Sequence, residues 1–240
     1  MSRKLSIPIV AVAALAVIAG GGAYAYYFSG LRTAPPTLAL SSPSASASAT
    51  SSGTATASGG TWTITTGSVA GYRVKEQFVG QSSAHEAVAR TSDVSGQVSV
   101  AQSGGAYQLT SATVTVRLAS LASVDQVAGY NVTNRDRIVQ GSLNVSSFPT
   151  AVFVAQPVAL PAGVETAQTV TVTVPGQLTI HGVTKDVTAT LQLRVSGAAA
   201  QIAGTIATNM TDFGISPPNI GFTTVQPATT IEVSLNLAQT

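Results

Sequence analysis

The side chains able to perform acid–base, nucleophilic or metal chemistry are few in this sequence. It contains no cysteine and two histidines, His85 and His181, with nine carboxylates spread along 240 residues. Without cysteine the chain has neither a thiolate nucleophile nor a Cys-ligated metal site. The histidines and carboxylates do not follow a zinc-binding spacing such as H-E-x-x-H. We therefore expect no metal site and no cofactor.

Motifs for serine-nucleophile or nucleotide chemistry are also missing. The sequence holds no G-x-S-x-G elbow for a catalytic serine and no P-loop for a phosphate. His181 precedes Gly182 in a predicted turn, where a structural hydrogen bond is favoured over catalysis. His85 lies in a polar stretch and is expected to face solvent. An enzyme is therefore the least favoured class of function.

The charged pair Arg135–Asp136 is the remaining candidate for a polar ligand contact. One interpretation, which we favour, is a hydrogen-bond cluster that fixes an irregular connection onto a sheet. The other is a contact to a ligand head group at the mouth of a barrel, where a few polar groups orient an otherwise apolar ligand. His181 belongs to the same set of candidates for the mouth.

The charge of the chain is unevenly distributed. Three of the 11 basic residues, Arg3, Lys4 and Arg32, precede residue 61, which leaves eight basic against all nine acidic residues in 61–240. The C-terminal part therefore carries a net charge of about −1 and no basic face for nucleic acid. We expect no nucleic-acid partner.

The elements that must position these side chains begin with an apolar N-terminal segment, assigned to residues 1–30. Leu5 to Phe28 carries no charge, and as a helix it would span roughly 36 Å, enough for a bilayer core of about 30 Å. A cleaved signal peptide is the alternative, because Ala23–Ala25 resembles a cleavage site. The apolar run continues past that site and ends in tyrosines, which favours an uncleaved single-pass anchor.

The topology that follows from the anchor places the rest of the chain outside the cytoplasm. Arg3 and Lys4 favour a cytoplasmic N-terminus in the plasma membrane, so the C-terminal domain is expected to be extracytoplasmic. Residues 31–60 form a linker of Ser, Ala, Thr, Gly and Pro, which cannot bury enough apolar surface to fold. We expect a mobile tether with a span of order 30 Å for about 28 residues.

Residues 61–240 have the period-2 pattern of antiparallel strands. In Asp186–Val195 the residues Val187, Ala189, Leu191, Leu193 and Val195 share one face, and Thr230–Gln239 and Thr113–Leu118 alternate in the same way. Weaker strands are predicted near 70–79, 94–101, 106–112, 150–158 and 200–208. Leu178–Val187 predicts two strands joined by a tight connection. Residues 120–147 lack alternation and are predicted to hold a loop and a short helix.

Strands with one apolar face can form a sandwich or close into a barrel. The strands are separated by turn signals such as Ser103–Gly105 and Ser196–Gly197, at hairpin distance, which slightly favours a barrel. The fold class is all-β and antiparallel in either case.

Short motifs of this domain resemble those of the YceI family, exported lipocalin-like β-barrels. In order along 62–240 they are Trp62, Gly71–Val74, Arg135–Asp136, Ser147–Phe153, Gly176–Thr184 and Asp212–Ile215. The resemblance implies a barrel with an apolar interior and, for some members, binding of a polyisoprenoid-type lipid. The chain departs from the family pattern where Arg137–Ile138 replaces a histidine and Met210 replaces a basic residue.

The resemblance and the alternating faces together define an expected ligand site. The apolar lining is predicted to comprise Val114, Val116, Leu118, Phe148, Phe153, Val172, Leu178, Ile180, Leu191, Leu193, Phe213, Phe222, Val233 and Leu235. The expected partners are an isoprenoid or other apolar lipid and the membrane. The sequence leaves open whether the chain forms a homodimer. The alternative is a cell-surface structural or interaction domain whose core is filled by its own side chains.

Overall fold

The computed structural model describes residues 32–41, 59–80, 84–127 and 130–240. The predicted anchor, 1–30, and residue 31 and residues 42–58 of the predicted linker lie outside the described residues. Within the described ranges, no helix has both the length and the apolar composition needed to cross a membrane.

The described residues are mostly extended. The strands are β1 (Arg32–Thr33), β2 (Gly60–Ile64), β3 (Val69–Phe78), β4 (His85–Thr91), β5 (Val94–Ser103), β6 (Ala106–Arg117), β7 (Ala122–Ser123), β8 (Gln126–Val127), β9 (Thr150–Ala155), β10 (Val158–Ala159), β11 (Val170–Ile180), β12 (Val183–Ser196), β13 (Ala199–Asn209) and β14 (Thr223–Gln239). Helix α1 spans Thr133–Ser142, and short 3-10 helices span Leu118–Ser120, Val164–Thr166 and Met210–Phe213. The short helix expected within 120–147 is thus confirmed.

Eight of these strands close into an antiparallel barrel. Their order is β13-β12-β11-β9-β6-β5-β2-β14, and β14 returns to pair with β13. Closure satisfies the backbone groups that an open sheet would leave at its edges. The all-β antiparallel barrel is therefore confirmed over a sandwich.

The long strand β14 joins the barrel to a side sheet. Its C-terminal end pairs with β2, while its N-terminal half pairs with β3, which continues into β4 and β7. The β14–β3 register shifts between Val225 and Thr229, around Pro227. Proline has no N–H to donate, so a bulge is the expected local solution.

The barrel has two distinct ends. The distal end carries the β5–β6 and β12–β13 hairpins. The mouth end carries the β3–β4, β11–β12 and β13–β14 connections, and α1 contacts β7 beside it. In the β11–β12 connection His181 and Gly182 both have positive φ, 53° and 73°, as a two-residue type I′ turn requires. The tight connection predicted there is confirmed.

The alternation of apolar and polar residues identified the strands that have one buried and one solvent-exposed face. In β12, Ala189, Leu193 and Val195 are buried, whereas Thr188, Thr190 and Gln192 are exposed. These inward residues belong to one core cluster that runs along the barrel. The sequence pattern therefore predicted not only the strand but also which face points inward.

Strand β4 was not predicted, and the expectation that His85 faces solvent is wrong. Ala87, Val88 and Ala89 are all buried, so β4 lacks the apolar–polar alternation that reveals a strand with one wet face. The His85 side chain is 2% exposed because it pairs with the buried carboxylate of Asp125.

The first part of the predicted linker lies against the barrel wall. We call residues 32–41 the strap. β1 pairs with β8, and the carbonyls of Pro35 and Pro36 accept hydrogen bonds from Arg73 and Arg90. The Leu38 amide donates to Glu232 over 3.1 Å. These contacts correct the expectation of a mobile tether for residues 33–41, since arginines of the sheet supply partners that composition alone did not reveal.

Candidate functional site: an apolar cavity inside the barrel

A cavity of about 260 Å³ lies inside the barrel, toward its mouth end. Its walls are made by the inward faces of the strands and by the inner side of α1, and they are mostly aliphatic or aromatic. Representative lining residues are Val74, Val114, Phe153, Leu178, Val139 and Ile231. Gly176 makes room for one of them, because a Cβ at that position would meet the Phe153 ring at 2.6 Å. An apolar cavity of about 150 Å³ is enough to bind benzene in another protein, so this one can hold a larger apolar group.

A second cavity of about 80 Å³ lies beyond the first, toward the distal end. Trp62, Leu160 and Leu237 contribute to its wall. Five side chains line both cavities and so form the boundary between them: Val98, Leu109, Val174, Leu191 and Ile202. The interior is therefore a larger outer chamber and a smaller inner chamber separated by one layer of aliphatic side chains.

The outer chamber reaches the surface at the mouth end. Its lining includes Ile220, which is 38% exposed. Aromatic rings stand beside this opening: Tyr130 lies 6.1 Å from Phe78 and 5.9 Å from Phe222, centroid to centroid. A ligand can therefore enter between the 216–222 loop and the Phe78–Tyr130 pair.

A buried charge cluster forms the polar part of the chamber wall. The Arg135 guanidinium of α1 donates from Nη1 and Nη2 to Asp125 over 2.7 and 3.1 Å. Its Nη2 also donates to Glu76 of β3 over 3.0 Å, and Nε lies 2.9 Å from Oε1 of that carboxylate. Asp125 in turn contacts His85 Nε2 at 2.6 Å and accepts the Val88 amide. The cluster thus ties α1 to β3 and β4.

The two carboxylates of the cluster titrate differently. Burial opposes ionisation of Asp125, but hydrogen bonds from His85 and Arg135 outweigh it and lower the Asp125 pKa to about 2. For Glu76 burial is the larger effect, and it raises the pKa despite the neighbouring Arg135 charge. Burial also raises the pKa of Tyr72, which lines the chamber nearby. Asp125 is therefore the fixed counter-ion of Arg135, and Glu76 is the carboxyl that protonates more readily.

Thr223 supplies a polar atom whose partner is missing within the described residues. Its side chain lines the outer chamber, it is 6% exposed, and its Oγ1 makes no hydrogen bond there. A buried hydroxyl without a partner costs about 1–3 kcal/mol. A polar group of a ligand in the chamber could accept from or donate to this hydroxyl.

A comparison with known protein families identifies this architecture. The family model described as a YceI-like domain matches residues 46–237. The chain belongs to the YceI-like family. No curated protein matches it.

Solved structures are similar to this YceI-like barrel. A polyisoprenoid-binding domain from Saccharophagus degradans aligns with a TM-score of 0.53 at 14% identity, covering 75% of this chain and 98% of that one. BcnA of Burkholderia cenocepacia aligns at 0.45 and 22% identity over 69% and 95% of the two chains. A YceI protein of Campylobacter jejuni aligns at 0.38 and 18% over 68% and 84%. At these identities the first alignment supports the fold alone.

Most of the predicted lining residues of the YceI-like barrel meet in one place. The outer chamber brings together Val114, Val116, Leu118, Phe153, Leu178, Ile180, Leu191, Phe213, Val233, Leu235 and the polar candidate Arg135. Val172 and Leu193 lie instead around the inner chamber. Ile138 and Met210, where the chain departs from the family pattern, also line the outer chamber, so both departures make its wall more apolar.

Four predicted site residues line neither chamber, and the local surroundings of each explain why. Phe148 packs edge-on against His181, with centroids 5.0 Å apart, and His181 itself sits in the type I′ turn with Nδ1 near the Phe213 carbonyl. Asp136 points away from the chamber and accepts from the Ser123 amide and hydroxyl. Phe222 is 47% exposed at the mouth rather than in the lining. Sequence position placed these residues near the barrel end but could not orient them.

Glu76 is a polar site residue that the sequence analysis missed, although its position carried a signal. The inner face of β3 comprises Ala70, Tyr72, Val74, Glu76 and Phe78, all of which line the outer chamber. A carboxylate in phase with apolar residues on a buried face is costly unless it is paired. The position of Glu76 in this alternation therefore indicated a buried partner. The sequence around Asp125 and Thr223 has no comparable pattern.

Proposed function

We propose that this YceI-like protein binds an apolar, isoprenoid-type lipid inside its barrel. One observation carries the proposal: an outer chamber of about 260 Å³ that is lined mostly by apolar side chains and reaches the surface. Burying a prenyl chain there contributes about 0.8 kcal/mol per methylene and requires few polar contacts. The alternative, a structural domain with a core filled by its own side chains, is weakened by this chamber.

The similar protein from Saccharophagus degradans supports the choice of ligand class. That structure is described as a polyisoprenoid-binding domain. The present chain shares its fold, and its interior has the chemistry that such a chain requires. The polar group of the ligand would lie near Thr223, whose hydroxyl lacks a partner in the described part of the chain, and near the Arg135–Glu76 pair.

The proposal includes a membrane tether and an extracytoplasmic barrel. Its support is the uncharged run Leu5–Phe28, which is long enough to span a bilayer, preceded by Arg3 and Lys4. Tethering would keep the barrel close to the bilayer that holds its lipid. Intact-mass measurement of the chain from the membrane fraction tests this part. Loss of residues 1–25 would contradict the anchor without touching the ligand proposal.

Cavity filling tests the ligand proposal directly. Ala112 is buried and lines the outer chamber, so Ala112→Phe places a ring in the space that the ligand would occupy. We expect this variant to lose uptake of a prenyl alcohol, measured by native mass spectrometry of the full chain in detergent. Equal uptake by Ala112→Phe and the wild type would contradict binding in the chamber.

Ala101→Phe is the matched control. Ala101 is exposed on β5, so the same added ring meets solvent there. Uptake should match the wild type, and thermal unfolding of both variants separates loss of the ligand site from loss of the fold.

A further inference from the structure

The mouth of the barrel carries exposed apolar side chains, of which one, Ile220, also lines the outer chamber. We call Val79, Ile220 and Phe222 the rim. They are 75%, 38% and 47% exposed, and the Val79 amide donates to the Phe222 carbonyl, so the two loops that carry them are joined. Large apolar side chains at a loop tip are expected to contact something other than water.

The rim loops also lack charge. Neither Val79–Gly80 nor the 214–222 loop, with sequence GISPPNIGF, contains an acidic or basic residue. Charged side chains are costly inside a bilayer and less so at its surface, so a charge-free apolar tip is compatible with entry into the interfacial region. A hydrated surface loop would carry polar groups without penalty.

The strap brings the N-terminal part of the chain to the same end of the barrel. β1 pairs Arg32 with Val127, and Val127 forms a bridge with Tyr130. Tyr130 lines the outer chamber and contacts the ring of Phe222. The described chain therefore begins beside the mouth, not at the distal end.

Covalent geometry then limits how far the mouth can lie from an anchored segment. Four residue steps separate Phe28 from Arg32, which span at most about 14 Å when fully extended. If Leu5–Phe28 spans the bilayer, as the proposed function assumes, Arg32 is held within that distance of the membrane surface, and the mouth lies beside Arg32.

We propose that the rim inserts into the surface of the bilayer that anchors the chain, so that the chamber opens onto lipid. This inference rests on the proposed tether and deepens the proposed function by giving the route of lipid entry. A lipid surface fits the rim better than a second copy of the chain. A stable dimer buries about 800 Å² per partner, which three side chains do not supply.

Single-cysteine labelling tests the orientation, because the chain has no cysteine of its own. Val79→Cys and Phe222→Cys each place an environment-sensitive fluorophore on the rim. The full chain is reconstituted in phosphatidylcholine–phosphatidylglycerol vesicles that contain a nitroxide-labelled lipid. Val154→Cys is the matched control, since Val154 is 46% exposed on the outer wall, in β9.

We expect nitroxide quenching of both rim labels to exceed that of the Val154 label by at least about threefold, because only the rim enters the interfacial region. Equal quenching at all three positions, or none at the rim, would overturn the proposal. Shielding of the rim labels that increases with protein concentration in detergent would also overturn the proposal. That result indicates that a second copy of the chain covers the rim.

A transfer assay separates this inference from the proposed function. The double variant Val79→Ser/Phe222→Ser should load with a prenyl lipid in detergent as the wild type does, but take it up from vesicles about tenfold more slowly, as loss of interfacial binding predicts. Unchanged transfer would contradict the rim's role. If no variant loads with lipid in detergent, that result counts against the ligand proposal. Quenching of the rim labels would still show that the rim docks on the bilayer.

Discussion

At the scale of the residue, Arg135 decides how the helix meets the barrel. It is 6% exposed and contacts two carboxylates, Asp125 between β7 and β8 and Glu76 of β3. Such a guanidinium must be paired, because a buried unpaired charge costs several kcal/mol. The favoured sequence interpretation of Arg135–Asp136 as a structural cluster agrees with these contacts. The same side chain also lines the chamber, and its contact with a ligand head group stays a prediction.

The two carboxylates should respond differently to neutralisation. Asp125→Asn removes the charge that balances Arg135, and we expect a loss of about 3 kcal/mol in the free energy of unfolding. Glu76→Gln should cost about 1 kcal/mol or less, because burial already disfavours the charged form of Glu76. Urea titration of both variants measures the difference. Equal losses would show that Arg135 depends on both charges alike.

The lowered carboxyl pKa values predict loss of stability in acid. Asp125 and Glu232 both have folded-state pKa values below their unfolded values, so their contributions are complete above about pH 5 and are lost as pH falls through the folded pKa, which is about 2 for Asp125. Glu76 acts with the opposite sign, since its raised pKa lets the folded state take up a proton first. Urea midpoints between pH 5 and 2 should therefore fall, and fall less in Asp125→Asn. A midpoint that rises on acidification would contradict this account.

At the scale of the element, the strap adds order where composition predicted a mobile chain. Low-complexity sequence cannot build a core of its own, but carbonyls of a proline-rich segment can accept from arginines already fixed on a sheet. Arg73 does so while its Nε donates to Glu232 over 2.7 Å. Strand prediction succeeded for β12 because one face is exposed to solvent, and failed for β4 because the successive residues Ala87, Val88 and Ala89 are buried on both faces. Local pattern therefore predicts elements whose environment alternates, and tertiary contacts decide the others.

Hydrogen exchange tests whether the strap stays docked in solution. Arg73→Lys keeps a positive charge beside Glu232 but loses the planar fork that also reaches Pro35. We expect exchange at the Leu38 amide to accelerate about tenfold in this variant, because the Oε2 atom of Glu232 that accepts this amide loses its bond from Arg73, while Arg90 holds only Oε1. Arg117→Lys, in an exposed ion pair, is the control and should leave that amide unchanged. An unprotected Leu38 amide in the wild type would contradict docking.

The layer between the two chambers predicts a limit on ligand length. Leu109 is 6% exposed and lines both chambers, so Leu109→Ala should join them and allow a longer prenyl chain to bind. Leu118→Ala removes the same atoms from a wall of the outer chamber only, and each variant should lose about 2–5 kcal/mol of stability. Native mass spectrometry with prenyl alcohols of increasing length compares them. Equal length limits would contradict the two-chamber account.

At the scale of the whole molecule, the sequence predicted the closed antiparallel barrel and most of the apolar lining. Period-2 alternation identified inward faces, and the family motifs favoured closure. Alternation could not predict that Phe222 points outward, that Glu76 pairs with Arg135, or that an interior space is left unfilled. Those properties depend on how distant strands pack, because volume and charge pairing are summed over the whole barrel. The position of the chamber is therefore a property of the assembled molecule.

Lipid analysis of the purified full chain tests the central claim most directly. The chain, isolated from membranes in mild detergent, is denatured, and the released material is extracted and identified by mass spectrometry. The account predicts one apolar lipid of prenyl type per chain, reduced in Ala112→Phe and retained in Ala101→Phe. Bare protein from membranes, together with no uptake of prenyl lipids when they are added, would contradict it.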